Sequence, residues 1–239
     1  MSDGDAAAPR PTPIHLRPTA PLAERVLLPG DPGRALALAQ HLLSEPRMFN
    51  HHRGLWGYTG TAADDEQLTI QSTGMGGPSA AIVLTELLML GARRVIRVGS
   101  CGALEPALAL GELVIARESL CLDGTSRALG AGERVAADAG LTLALAAAAP
   151  GARGGAVASV DLFYDGGFSS RAAGHRALAV EMEAATLFAL GASAGVPVGC
   201  VLAVSDMLGP DGERVRIDDG SLVAAAERMG AAAVAALPP

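Results

Sequence analysis

Apolar runs of strand length alternate with glycine-containing turns and longer apolar runs through most of the chain. The clearest example is Leu68–Leu104, which reads as a strand, the turn GMGGPS, an apolar helix, a second strand RVIRV and the turn GSCGAL. Pro78 near the helix start and Gly91 just beyond its end follow the usual asymmetry of helix boundaries. This alternation predicts an α/β domain.

The same pattern extends in both directions from this stretch. We predict further strands at Arg25–Leu28, Gly111–Ala116, Gly154–Ser159, Ala177–Val180 and Val198–Val204, and further helices at about Ala35–Leu43, Leu141–Ala149, Ala184–Ala194 and Ser221–Ala236. Residues 49–60 are typical of a hairpin and residues 117–127 of a polar loop. Residues 1–13, rich in Ala, Pro and Asp, predict a disordered tail before one domain at 14–239.

Charged side chains stand where several predicted strands end. Arg97 interrupts an apolar strand, and a buried arginine is costly unless an anion or a carboxylate meets it. Arg34 follows a strand and a glycine turn, where backbone N–H groups at a helix start favour phosphate. Because open α/β sheets bind ligands at the carboxyl ends of their strands, an anion site is predicted there. A purely structural ion pair is the alternative.

Acidic side chains occupy two other strand ends. Glu181 and Glu183 follow one strand and share a side if it continues that far, and Asp206 follows the last apolar strand. Each also has a structural reading, as a first-turn acid or a helix N-cap. With Ser100 and the arginines as an anion cradle, this set predicts transfer to phosphate, with a carboxyl group protonating the leaving group.

Composition and motif spacing exclude several classes of function. The net charge of −7 argues against a nucleic-acid partner. Ser79 stands where a dinucleotide fingerprint requires glycine, and no spacing typical of a metal site occurs. Three scattered cysteines, with neither a signal peptide nor an apolar run long enough to span a membrane, predict a cytoplasmic protein.

Seven segments, in matching order between His15 and the final helix, carry a family resemblance: LLPGDPGRA, RGLWGYTG, GMGGPSAAI, RVGSCGAL, SVDLFY, VEMEAATLF and VSD. They closely resemble the hexamer-forming nucleoside phosphorylases, a family that includes bacterial purine nucleoside phosphorylases and uridine phosphorylases. The resemblance implies a single-domain, three-layer α/β/α fold with a central mixed, barrel-like sheet. It also implies no cofactor, inorganic phosphate as co-substrate, and a homo-oligomer, a trimer of dimers, whose active sites are shared within each dimer.

The resemblance assigns roles to residues of this chain. Phosphate is expected at Gly30, Arg34, Arg97 and Ser100, with Arg53 supplied by a neighbouring subunit. Ribose is expected at Glu181, Met182 and Glu183, with His15 lent across the dimer to the 5′ end. The base is expected at Cys101, Gly102, Phe163 and Val180. Asp206 is expected to protonate the purine at N7, assisted by Arg214.

Two departures from the family pattern leave alternatives open. The segment between Asp206 and Arg214 is shorter than in the family, so Arg216 is an alternative assistant, and the alanine-rich residues 128–153 are less recognisable. Uridine-specific members carry Gln-x-Arg after the LF-type segment and lack the aspartate, whereas this chain has YDGG at 164–167 and keeps Asp206. Purine is therefore favoured.

Other activities on the same fold are also open. Uridine or methylthioadenosine phosphorolysis, a water-using nucleosidase and a non-catalytic nucleoside-binding protein are the alternatives. The three arginines at 34, 53 and 97 count against a nucleosidase, which needs no phosphate site.

Overall fold

A computed structural model describes residues 12–164, 176–208 and 213–238. Within them the strands are β1 Arg25–Leu28, β2 Ser44–Asn50, β3 Gly57–Thr61, β4 Gln67–Gln71, β5 Arg94–Ala103, β6 Leu113–Cys121, β7 Arg134–Ala136, β8 Arg153–Ser159, β9 Ala179–Glu181, β10 Val198–Leu208 and β11 Arg214–Arg216. The helices are α1 Pro32–Leu42, α2 Gly77–Leu90, α3 Gly124–Ala128, α4 Ala139–Ala148, α5 Ala184–Ala194 and α6 Asp219–Ala236, and His52–Gly54 forms a 3₁₀ turn.

The strands form one mixed sheet that closes on itself over part of its width. Pairing runs β10-β6-β8-β9-β5, and β5 also pairs with β10 in parallel, so these five strands make a closed barrel. β1 pairs in parallel with β5 and begins an extension through β4, β3 and β2. Because β1, β5 and β10 run in parallel, their carboxyl ends lie at the same edge of the sheet.

Helices cover the sheet on both sides, which gives three layers. α2 and α5 pack together over one apolar cluster, whereas α1, α4 and α6 pack over the other. The core is built mainly from Ala, Val and Leu, with Phe49 and Phe188 its largest fully buried side chains. The absence of a side chain lets two helices approach each other closely at Gly230 of α6, where a Cβ would lie 2.7 Å from Leu38 Cδ2 of α1. The expected fold class is confirmed.

Helix boundaries follow the signals in the sequence. Asp31 caps α1 by accepting a hydrogen bond from the Arg34 N–H at 2.7 Å. Gly91 ends α2 in the left-handed conformation, with φ of 113°, which favours glycine.

The prediction was wrong where strands continue past their polar or glycine-rich ends. β5 runs through Gly99–Gly102, which we expected to form a turn, because β10 pairs with it residue by residue from Val98 to Cys101. Likewise, the predicted polar loop at 117–127 is the second half of β6 followed by α3. Closure of the barrel gives β5 a partner in β10, and β6 has one in β8, so the backbone groups are paired and both strands extend beyond their apolar runs.

Two expectations lie partly outside the described residues. The tail predicted at 1–13 is described only for Thr12 and Pro13, and the YDGG segment only for Tyr164. Among the described residues, no helix is both long enough and apolar enough to cross a membrane.

Candidate active site

Arg97 lies in β5 with only 3% of its side chain exposed, and two carboxylates hold it. Its Nε donates to Glu181 Oε2 at 2.9 Å, and its Nη2 is 2.5 Å from Glu183 Oε2. Burial disfavours the guanidinium charge, but the carboxylates of Glu183 and Glu181 more than offset this and raise the pKa of Arg97 above its ordinary value. The guanidinium is therefore a fixed positive charge inside the protein.

Gly99 makes room for this guanidinium. A Cβ at that position would lie 2.7 Å from Arg97 Nη2 and 3.0 Å from Leu202 Cδ2. A side chain there would displace the arginine. The glycine that follows RVIRV is therefore required by a close approach within the strand rather than by a turn.

The two glutamates have different surroundings. Glu181 is completely buried, and its oxygens accept hydrogen bonds from the Ser159 hydroxyl and from the N–H groups of Glu183 and Ala184 as well as from Arg97. We expected Glu181 to contact ribose; in the structure its enclosed carboxylate pairs with Arg97. Met182 between them is partly exposed.

Glu183 joins the barrel to the glycine turn before α2. Its Oε1 accepts a hydrogen bond from the Gly76 N–H at 2.5 Å, and its Oε2 contacts Arg97. Although Glu183 is separated from both partners by more than 80 residues in sequence, the fold brings all three together. The strand that was expected to place the two glutamates on one side ends at Glu181, before Glu183, yet both carboxylates contact Arg97.

One nitrogen of the buried guanidinium has no partner among the described residues. Arg97 Nη1 is fully enclosed and makes no hydrogen bond. Arg34, at the start of α1, is close enough for its charge to interact with Arg97 and Glu183; burial, followed by the repulsion from Arg97, lowers the pKa of Arg34. An oxyanion that accepts from both guanidinium groups would satisfy the orphaned donor and relieve this repulsion.

Backbone from two glycine turns borders the arginines. Gly30 precedes α1, and a Cβ on it would lie 3.3 Å from the Gly74 carbonyl oxygen, so the two turns pack closely. Ser100 follows Arg97 by three residues and is partly exposed. Gly30 and Arg34 thus follow the carboxyl end of β1, whose last residue, Leu28, pairs with Arg97 in the adjacent parallel β5, the strand that also carries Ser100.

Asp206 lies at the opposite side of β5, beside the residues expected to meet the base. Gly102 is its neighbour in β5, and Val180 in β9 is the neighbour of Gly102. A Cβ on Gly102 would lie 3.1 Å from Asp206 Oδ1 and 3.3 Å from Val180 Cγ1. The Ser205 hydroxyl is 3.0 Å from Asp206 Oδ2. Cys101 is buried, and its thiol points toward the Ala203 carbonyl at 3.7 Å.

Arg214 connects Asp206 to Phe163. Its Nε is 3.4 Å from Asp206 Oδ1, and its guanidinium carbon is 4.5 Å from the centre of the Phe163 ring. The side chain of Arg214 is 42% exposed and Phe163 is 46% exposed. Among the described residues Arg216 makes no ion pair with Asp206, so the structure favours Arg214 as its partner.

His15 and Arg53 lie on two chain segments that a hydrogen bond joins. His52 Nδ1 donates to the His15 carbonyl at 2.9 Å, which ties the N-terminal segment to the turn that carries Arg53. Arg53 is exposed and adopts φ of 59°. Within the described ranges, no hydrogen bond or ion pair joins either side chain to Arg97, Glu183 or Asp206.

Two residues that support the candidate site were not identified from the sequence. Ser159 supports Glu181, and Glu86 in α2 binds His15 at 2.7 Å. Glu86 had a signal, since it is the one charged residue in the run AAIVLTELLML. The described residues contain no group of three or more His, Cys, Asp or Glu suited to a metal ion.

Comparison with known proteins assigns the chain to a family. Residues 24–238 match the model of the phosphorylase superfamily. A DeoD-type purine nucleoside phosphorylase of Geobacillus kaustophilus is 36% identical over 196 residues, covering 79% of this chain and 83% of the relative. One from Jannaschia is 39% identical, covering 78% and 83%. A uridine phosphorylase of Thermococcus kodakarensis is 40% identical over 203 residues, covering 77% and 73%. With its barrel, its buried arginine and these relatives, the chain belongs to the phosphorylase superfamily.

Proposed function

We propose that this protein is a purine nucleoside phosphorylase, a pentosyltransferase. It would cleave the N-glycosidic bond of purine ribonucleosides and deoxyribonucleosides reversibly, giving the free base and ribose or deoxyribose 1-phosphate. The observation that carries the proposal is the buried, doubly paired guanidinium of Arg97, whose Nη1 has no partner among the described residues and whose neighbour Arg34 is also cationic.

Inorganic phosphate is the anion that fits this arrangement. Arg34 and Arg97 would bind two of its oxygens, and Ser100 and the backbone at Gly30 would bind others. A guanidinium held in place by carboxylates needs no reorganisation when the anion arrives, which strengthens its electrostatic effect. The co-substrate is phosphate itself, and the proposal includes no resident cofactor or metal.

The reaction follows from the separation of anion and acid. A phosphate oxygen forms a bond to C1′ of the sugar while the C1′–N9 bond breaks, and the bonding electrons pass to the base. Phosphate stabilises the positive charge that develops on the sugar, and Glu183 and Met182 hold the ribose hydroxyl face. Asp206, in its protonated form, gives its proton to N7 as the base leaves.

The base would lie between Asp206 and the open side of the barrel. The missing side chain at Gly102 leaves space beside the carboxyl group. Val180 and Cys101 would form its apolar wall, and Phe163 would stack on the purine ring. Arg214 is placed to stabilise the Asp206 carboxylate after proton transfer, since its Nε is 3.4 Å away.

Uridine phosphorolysis is the second candidate. The 40% identity to the uridine phosphorylase of Thermococcus kodakarensis favours it. Asp206 favours purine, because a pyrimidine has no N7 to accept the proton. The three phosphate-side arginines support a phosphorylase over a nucleosidase, which would use water.

We also propose that the active site is completed by a second copy of the chain. His15 and Arg53 lie on one hydrogen-bonded unit, and within the described residues neither side chain makes a hydrogen bond or an ion pair with Arg97, as expected if both serve a neighbour. Exposed apolar side chains surround this unit and α2, namely Ile14, Met48, Trp56, Met75, Ile82 and Met89. The family resemblance extends the dimer to a hexamer, and we place the protein in the cytoplasm, consistent with three free cysteines.

The decisive experiment measures free base released from inosine, adenosine and uridine, each with and without inorganic phosphate. Purine release that requires phosphate supports the proposal. Release without phosphate would make the protein a nucleosidase, and turnover of uridine alone would exclude the purine assignment. No turnover of any nucleoside, with binding retained, would indicate a binding protein. Full activity in a monomer, measured by sedimentation, would contradict the shared site.

A further inference from the structure

Glu86 is a carboxylate buried in the apolar helix α2, with 8% of its side chain exposed. Its oxygens accept hydrogen bonds from the backbone N–H groups of Ile14 at 3.0 Å, His15 at 3.0 Å and Leu16 at 2.6 Å. The His15 ring makes a further bond through Nδ1 at 2.7 Å. A single side chain thus holds three consecutive residues and one ring.

This contact fixes the protonation pattern of the His15 ring. An ionised carboxylate only accepts hydrogen bonds, so Nδ1 must be the nitrogen that donates. Burial disfavours ionisation of Glu86, but the bonds from the Leu16 N–H and the His15 ring outweigh it and lower its pKa to about 2. The neutral ring therefore carries its lone pair on Nε2, which has no hydrogen-bond partner among the described residues.

The same anchor reaches the turn that carries Arg53. The His15 carbonyl accepts from His52 Nδ1 at 2.9 Å, and Arg17 N–H donates to Asn50 Oδ1 at 2.9 Å. Asn50 in turn donates to the Leu55 carbonyl at 2.5 Å. Glu86 therefore connects α2 to the whole unit that presents His15 and Arg53 on the surface.

We propose that Glu86 is a positioning residue for the phosphorolysis reaction, holding the His15 ring so that Nε2 faces outward and accepts a hydrogen bond from the ribose 5′ hydroxyl bound by a neighbouring copy. This inference rests on the proposed function. If Glu86 served only to anchor the backbone of residues 14–16, it would need no hydrogen bond to the His15 ring. That bond is needed if the ring itself must be held in place to contact a ligand. Glu86 acts through His15 and touches no substrate.

The test compares a purine nucleoside with its 5′-deoxy analogue in the wild type and in Glu86→Gln. We expect kcat/KM for the nucleoside to fall about tenfold, mostly through KM, because one hydrogen bond to substrate is lost. The 5′-deoxy analogue, which lacks the hydroxyl, should react as with the wild type. Glu66→Gln, at an exposed position, is the matched control. Equal losses on both substrates, or no loss, would overturn the inference.

A second measurement needs no variant at position 86. The ¹⁵N chemical shifts of the His15 ring in the wild type, assigned with His15→Ala, report which nitrogen carries the proton in the neutral form. A proton on Nδ1 supports the inference, and a proton on Nε2 overturns it. Absence of phosphate-dependent purine release by the wild type would overturn the proposed function, and with it the ribose contact, whatever the tautomer.

Discussion

The two sides of the candidate site hold their charges in opposite ways. Arg97, Glu181 and Glu183 are almost fully enclosed and are joined by short hydrogen bonds from backbone and side chains. Asp206, Arg214 and Phe163 are joined by one ion pair at 3.4 Å and one cation–π contact, and the arginine and the ring are nearly half exposed.

Under the proposed function, the enclosed side binds phosphate and ribose, which all substrates share, and the exposed side binds the base, which varies. Phosphate and ribose are common to all substrates of a nucleoside phosphorylase, and a rigid, buried charge cluster is suited to a constant ligand because its orientation is set in advance. Bases differ in size and in polar groups. A loosely held, exposed arginine and ring can adjust to them at little cost. A purine nucleoside phosphorylase and a uridine phosphorylase match this chain with similar sequence identity, which is consistent with this division.

The largest effect is expected from Arg97→Met. Removal of the guanidinium leaves Glu181 and Glu183 buried without their counter-charge, so the free energy of unfolding should fall by about 3–5 kcal/mol. Phosphorolysis should fall about 1,000-fold because the fixed charge is lost. Chemical denaturation and steady-state kinetics measure the two. Arg93→Met, four residues earlier and exposed, is the control. A stable, active Arg97→Met protein would mean that the cluster is dispensable.

Asp206→Asn should affect activity without a comparable effect on stability. An asparagine retains the shape but cannot donate the proton, so kcat for inosine should fall about 100-fold. The expected change in the free energy of unfolding is small, because the only charged partner among the described residues is the half-exposed Arg214. Asp65→Asn, at an exposed turn with φ of 64°, is the control. Turnover close to that of the wild type would refute the role of Asp206 as the acid.

Arg214→Gln should reduce kcat about tenfold or less, because an exposed ion pair and a partly exposed cation–π contact are each weak. Arg216→Gln is the matched comparison, since Arg216 pairs with Asp206 only through the strand backbone. If Arg216→Gln were the more damaging change, Arg216 would be the assistant of Asp206. Both variants should unfold at the denaturant concentration of the wild type.

The smallest expected effect is on the pH dependence of stability, through the ionisation of Glu86. The pKa of Glu86 is about 2 in the folded chain against an ordinary 4.5. The unfolded chain therefore takes up this proton first as the pH falls, and the stability that the ionised group contributes above pH 4.5 is lost progressively below it. Denaturation curves of wild type and Glu86→Gln should converge as the pH falls from 4.5 toward 2. A constant difference would show that Glu86 is not preferentially ionised in the folded state.

Much of the architecture could be read from local patterns. β1 and α5 have the predicted bounds, and α2 begins at Gly77, one residue before the predicted proline, and ends just before the predicted Gly91. The errors share one cause. β5 and β10 continue through polar and glycine residues because the two strands pair with each other there to close the barrel, and no local pattern reports the presence of a distant partner.

The site shows the same limit. Strand-end position and charge sign, both local properties, identified Arg97, Glu183 and Asp206 as candidates, and seven ordered segments indicated the family. No local pattern in the sequence could show which of the two glutamates is enclosed by other groups of the protein. Glu181 and Glu183 are alike in sequence, but Ser159 and two backbone N–H groups enclose the first, whereas the second joins Arg97 to Gly76.

The sequence by itself determined the layered α/β fold, the residues that carry charge and the family, because periodicity, turn chemistry and motif order are written in consecutive residues. Tertiary structure decided the partners: that Arg97 is doubly paired with one nitrogen left over among the described residues, that Arg214 rather than Arg216 meets Asp206, and that Glu86 orients His15. Each of these contacts joins residues from different segments of the chain. Hydrogen bonds and ion pairs depend on distance in space, which only the closed sheet and its packed helices define.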